Sequence, residues 1–168
     1  MDDRATRADH LKIWELIKRS HSALLVTVRP DGTFDSRPMG CLQTSFGSTL
    51  WFLTFRHSLK LAEIRNNPNV LVSYSKPSDF EYVSLSGKAR IVEDAQKLSE
   101  LWSEGLRVWF PNGPGDPEIA VLAVEVEQAR YWTDAASMTT YAWAYLKARL
   151  TGESPPTDEI VTEKSLSF

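Results

Sequence analysis

The sequence predicts a closed antiparallel β-barrel with helices at its periphery. Six β-rich apolar runs recur along the chain, and most are joined by links of hairpin length. They do not alternate strictly with helices, which disfavours a doubly wound parallel sheet. The 168 residues are expected to form one domain. A chain of this size hides roughly 70% of the surface its unfolded form exposes.

A helix is predicted over about 6–20, opened by Thr6-x-x-Asp9 and carrying an apolar stripe of Leu11, Ile13, Trp14, Leu16 and Ile17. Ser22 to Arg29 reads as a strand, and Pro30-Asp31-Gly32-Thr33 as a turn. A second strand is expected from Thr33 to about Thr44, with Pro38 marking an edge, a bulge or a strand end. Thr49–Phe55 is an almost wholly apolar strand, followed by a helix from Ser58, its N-cap, to the Asn67-Pro68 stop. Asn69–Ser75 and Glu81–Val92 are two further strands across a Lys76–Phe80 turn, and Gly87 marks a bend in the second. Asp94 caps a helix expected to reach about Leu106, and a Pro/Gly-rich loop at Pro111–Pro117 leads to a long strand at Ile119–Trp132. Beyond Asp134, Tyr141–Leu150 reads as a helix, Gly152–Thr157 as a loop and the last residues as a loosely held tail.

Composition narrows the function classes. Hydrophobic residues make up 42% and charged residues 24%, which excludes a disordered chain. Lys+Arg 19 against Asp+Glu 22 gives a net charge of −3, the opposite of a nucleic-acid footprint. One cysteine, Cys41, leaves no internal disulfide and no multi-thiolate metal site, and His10, His21 and His57 lack metal-ligand spacing. No apolar window reaches membrane-span length and MDDRATRADH does not read as a signal peptide, so a cytoplasmic protein is expected. Six Trp, five Tyr and seven Phe suit a flat ligand or a large interface, although a core uses many aromatics too.

The chemistry concentrates where the third strand ends. A helix start offers unsatisfied N–H groups and the positive end of its dipole. Arg56 and Lys60 flank that start beside Ser58, and cations there oppose the dipole unless an anion sits between them. Two readings stand: a bound phosphate resolves the conflict, or Lys60 points to solvent while Ser58 caps. Arg37, on the strand that Pro38 marks as an edge, either turns inward to the same phosphate or lies on the surface ahead of a structural bulge. A kink there would let backbone groups near Met39 and Gly40 meet a planar ligand.

Arg37-Pro38-Met39, then Leu50-Trp51-Phe52-Leu53-Thr54-Phe55, Ser58-Leu59-Lys60 and Asn66-Asn67-Pro68-Asn69-Val70 together resemble the pyridoxamine-phosphate-oxidase-like FMN-binding split barrels, and within them the general stress protein branch. The resemblance continues through Tyr82–Ala89, the Asp94…Trp102 helix, Trp109-Phe110-Pro111 and Ala129–Trp132, covering about 8–133 as the core, with a C-terminal helix and tail over about 134–168. It implies a six-stranded antiparallel split β-barrel that forms a homodimer, with FMN in grooves at the subunit interface. FAD is an alternative, because an open groove leaves an adenosine tail in solvent. By position, Arg37, Ser58 and Lys60 would hold the phosphate, Pro38 and Met39 would line the isoalloxazine, and Thr54 and Phe55 would flank it. Trp109, Phe110 and Pro111 would close the pocket from the partner subunit.

The implied function is a flavin-dependent oxidoreductase or reductase of the general stress type, or a protein that binds and buffers flavin without a substrate. Redox chemistry resides in the flavin, so no catalytic acid or base is required of the chain. A true pyridoxamine-phosphate oxidase is disfavoured, because its Arg- and His-rich C-terminal segment has no counterpart and every histidine precedes residue 58. A deazaflavin or haem in the same groove is the remaining alternative. The other constellations read as ordinary structure. His57-Ser58 are adjacent without a nucleophile elbow, Gly113-Pro114-Gly115 lacks the Lys-Ser/Thr of a P-loop, and Glu125 and Glu127 share a solvated face.

Overall fold

Inward and outward side chains alternate along the strands, and that alternation decides which face each presents to the core. In the computed structural model the described residues are 7–20, 22–43, 45, 47–134, 138–152 and 161–168. Ala23, Leu25 and Thr27 point inward from β1 (Ser22–Val28), and Val70, Val72 and Tyr74 from β4 (Asn69–Lys76). β2 (Phe34–Gly40) pairs only with β1, and β3 (Thr49–Phe55) only with β6 (Ile119–Asp134). With β5 (Glu81–Val92), the hydrogen-bonded order is β2-β1-β4-β5-β6-β3, antiparallel throughout. This is a curled half-barrel whose two end strands, β2 and β3, are the edges of the split. Pro38 therefore sits where a missing N–H is tolerated, on an edge strand opposite Leu24.

Three helices clothe the sheet. α1 (Arg7–Arg19) buries Ile13, Leu16 and Ile17 in the main core. Thr6 lies outside the described residues; its predicted companion Asp9 is buried and paired with Lys164. α2 (Leu59–Asn66) follows β3 directly and adds Leu61 and Ile64 to the same core. α3 (Ala95–Leu101) is capped by the Asp94 carboxylate, which accepts from the Lys97 N–H at 3.0 Å. It builds a second, smaller core with Leu53, Phe110, Ile119 and Val121.

Several expectations shift. The helix predicted to Leu106 stops at Leu101; Trp102 turns extended and a separate 3-10 turn occupies Glu104–Val108, where Gly105 weakens continuation. β2 ends at Gly40 rather than near Thr44, which lies outside the described residues. A helix does occupy the region read as Tyr141–Leu150, as α4 (Met138–Thr151). Of the predicted 152–157 loop, residues 153–157 lie outside the described residues. The last residues are not a loose tail: β7 (Val161–Ser167) pairs with β6, with Leu166 buried opposite Ala129. β6 is long enough to hold β3 along its first half and β7 along its second.

The predicted bend at Gly87 is a bulge. Ser86 pairs with Gln128 but Gly87 with Val126, so the register skips Glu127. A Cβ on Gly87 would lie 1.9 Å from the Glu125 carbonyl oxygen, which reserves the position for glycine. Glu125 and Glu127 stand on the solvated face and pair with Arg90 at 2.8 Å and Lys88 at 3.4 Å. Among the described residues no helix is long and apolar enough to cross a membrane, and no group of His, Cys, Asp and Glu has the geometry of a metal site.

Candidate functional site

The edges of the split bound a cavity of about 420 Å³, within the range of small-molecule sites. β2 contributes Pro38, Met39 and Gly40, and β3 contributes Leu53, Thr54 and Phe55. Lys60, in the first turn of α2, lines it with a charged group, and Leu106, Trp109 and Phe110 line it from the loop after α3. The walls are thus apolar, with polarity gathered at the α2 end. Phe110 is only 4% exposed and packs as a tilted ring pair with Phe55, centroids 4.8 Å apart, whereas Trp109 is 66% exposed at the rim.

Lys60 is the electrostatic centre of this end. Its ammonium donates to the Thr54 hydroxyl at 2.8 Å, and among the described residues no carboxylate lies within ion-pair distance of it. Burial holds it below the usual lysine range and the Arg37 guanidinium pushes the same way, while Glu63 pulls it back up. A half-buried cation with a neutral hydroxyl as its partner is a binding element for an anion.

Ser58 occupies the N-cap position with extended backbone, but its side chain makes no capping bond. Its Oγ is buried without a hydrogen-bond partner, two residues from Lys60. An orphaned buried hydroxyl costs about 1–3 kcal/mol unless something meets it. Together the orphan oxygen, the ammonium without a carboxylate partner among the described residues and the N–H groups of the first helical turn fit a phosphate, and the apolar walls fit a flat ring.

Arg37 is placed differently. It shares the inward side of β2 with Met39, yet it does not line the cavity. Its guanidinium donates to the Thr27 hydroxyl, to Glu63 at 2.9 Å and to Asp35 at 3.0 Å. Thr27 in turn donates to Glu63 at 2.5 Å. Arg56 also turns away, donating to the carbonyls of Pro117 and Ile119 and pairing with Glu93 at 3.1 Å. Internal acceptors therefore settle the charge conflict at Arg56. His57 is exposed and reaches Glu118 at 3.7 Å, so it does not meet the Ser58 hydroxyl.

Of the residues singled out in the sequence, Pro38, Met39, Thr54, Phe55, Lys60, Trp109 and Phe110 are brought to one cavity, while Ser58 and Arg37 do not line it. Trp109 and Phe110 line the cavity of their own chain. Glu63, Thr27 and Asp35 went unrecognised. Thr27 carried a signal: it continues the inward phase of Ala23 and Leu25, so a polar side chain had to find a buried partner. Cys41 is partly buried, packed on the core beside Tyr74, and burial pushes both groups upward.

General stress protein 26 of Bacillus subtilis is 37% identical over 87 residues, which are 50% of this chain and 61% of that protein. The chain thus spans about three-fifths of that relative. The crystal structure of the General Stress Protein 26 from Bacillus anthracis is 30% identical, with a TM-score of 0.63 over 70% of this chain and 88% of that one. The general stress FMN/FAD binding protein of Xanthomonas citri shares the fold at a TM-score of 0.67, covering 79% and 94% of the two chains at 24% identity. The family described as pyridoxamine 5'-phosphate oxidase like matches residues 8–156, nearly the whole length, and the chain belongs to that family.

Proposed function

We propose that this chain is a flavin-binding general stress protein that seats FMN in the split of its half-barrel and works as a flavin-dependent oxidoreductase in the cytoplasm. Lys60 and Ser58 would hold the phosphate at the start of α2, with the Arg37 charge behind them. Pro38, Met39, Thr54 and Phe55 would lie along the ring, and Trp109 and Phe110 would close over it. The observation that carries this reading is the half-buried Lys60 ammonium, bonded to the Thr54 hydroxyl and to no carboxylate in range among the described residues, at the polar end of an apolar cavity. The FMN/FAD binding described for the Xanthomonas citri protein supports it.

Hydride or electron transfer is the chemistry that flavin supplies when bound. The residues of this chain would bind and orient it and exclude water from one face of the ring. No titratable side chain other than Lys60 lines the cavity among the described residues, so the chain positions rather than exchanges protons. FMN suits the seat better than FAD, because a terminal dianion satisfies Lys60 and Ser58 at once. A homodimer belongs to the proposal: exposed Phe55, Leu59, Val108 and Trp109 around the cavity form an apolar surface that a second copy would cover.

The test is direct. Mixing the purified protein with micromolar FMN should quench flavin fluorescence, and absence of quenching would overturn the reading. Buffering without catalysis is the second reading, favoured by a lining whose one titratable side chain among the described residues, Lys60, is assigned to the phosphate. Reduction of the FMN-loaded protein by NADH or NADPH faster than free FMN supports the oxidoreductase; an equal or slower rate leaves buffering.

A further inference from the structure

Lys60 lines the α2 end of the cavity and Arg37 acts on its charge from outside the lining; of the two, Arg37 alone has carboxylates within ion-pair distance among the described residues. Glu63 accepts from Arg37 at 2.9 Å and from Thr27 at 2.5 Å, and it is itself only 8% exposed. Asp35 takes the same guanidinium nitrogen at 3.0 Å. These acceptors draw the Arg37 guanidinium toward α2 and β1, although Met39, two residues along the same strand, lines the cavity. Glu63 lies one helical turn after Lys60 on α2 and acts on its charge. A buried carboxylate in that place opposes a bound phosphate twice. It repels the anion through a poorly screened medium, and it occupies donors the anion would otherwise take.

We propose that Glu63 sets the affinity and specificity of the anion seat: it is the more buried of the two carboxylates that keep Arg37 out of the cavity, and a phosphate-bearing ligand competes with it for that guanidinium. Two like charges side by side need an anion between or behind them, and Glu63 fills that role until the ligand does. The proposal rests on the flavin reading of the cavity but concerns a residue that reading does not use. Glu63 would limit how tightly phosphate is held and leave binding of the ring unaffected.

The experiment titrates the full-length protein with FMN and with riboflavin, and separately measures the rise in Tm caused by inorganic phosphate. Glu63→Gln should tighten FMN by about tenfold, the order expected on removing one charge from a partly solvated site. Riboflavin affinity should stay unchanged, phosphate should raise Tm more than in the wild type, and the gain should shrink when Arg37→Ala is added. Unchanged or weaker FMN binding, or a gain that Arg37→Ala leaves undiminished, overturns the proposal. Should Glu63→Gln fail to fold, Glu63→Asp withdraws the carboxylate by one methylene and should give a smaller gain; equal or weaker binding overturns it likewise. If the wild type binds no flavin while phosphate still stabilises the variant more, the flavin reading falls and the role of Glu63 stands. If the wild type binds FMN and the variant responds no differently to FMN or phosphate, the reverse holds.

Discussion

Lys60 Nζ donates to Thr54 Oγ1 at 2.8 Å, tying the first turn of α2 to the end of β3. The bond fixes a cation at the mouth of the split, where the helix dipole alone would repel it. It also keeps the ammonium where burial and Arg37 both press it to release its proton.

That pressure has a pH signature. The folded value of Lys60 lies below its unfolded value near 10.5, so the folded chain binds fewer protons in the interval between them. The group costs stability while both states are protonated, and the cost is relieved as pH rises through the folded value. A bound phosphate reverses the preference by favouring the ammonium. The ratio of FMN to riboflavin affinity should therefore fall as pH rises above the folded value of Lys60, the ratio cancelling any titration of the shared ring. Lys60→Arg should flatten the profile, because guanidinium keeps its charge. Parallel FMN and riboflavin curves in the wild type would contradict the assignment.

Gly87→Ala should be severely destabilising, by about 3 kcal/mol or more, because the clash is with backbone that cannot step aside. Urea denaturation checks it. A loss under about 1 kcal/mol would mean that the bulge opposite Gly87 is not held in the register described.

Leu166→Ala should cost about 2–3 kcal/mol, as for a buried aliphatic side chain, and truncation after residue 160 should lower Tm further by removing the Lys164–Asp9 pair. Unchanged melting in both variants would restore the picture of a loose terminus.

Much of the fold was legible because it is written in local pattern. β3 and β5 fall where their apolar or alternating runs predict, and Ser58 to Asn67 frames α2 within a residue at each end. β7 was not legible: Val161–Ser167 is mostly polar, and its pairing with β6 is a long-range event that periodicity does not encode. The site divides the same way. Residues beside the strand–helix junction were found from their neighbours in sequence. The fate of Arg37 was hidden because its acceptors Thr27 and Glu63 lie 10 and 26 residues away, and Glu63 reads locally as an ordinary exposed helix charge.

Sedimentation of the purified protein should give a mass twice the 19.0 kDa of one chain, with the Trp109 rim buried in the pair. Trp109→Glu should then shift the equilibrium toward the single chain and weaken FMN together with it. Tight flavin binding by a single chain would contradict an interfacial groove.

The Lys60 seat is tested most directly by titrating the wild type and Lys60→Ala with FMN and with riboflavin side by side. FMN affinity should fall by about ten- to a hundredfold in the variant, the range for losing one charge-assisted contact, while riboflavin changes little. Equal losses for both ligands, or none for either, would show that Lys60 does not hold a phosphate.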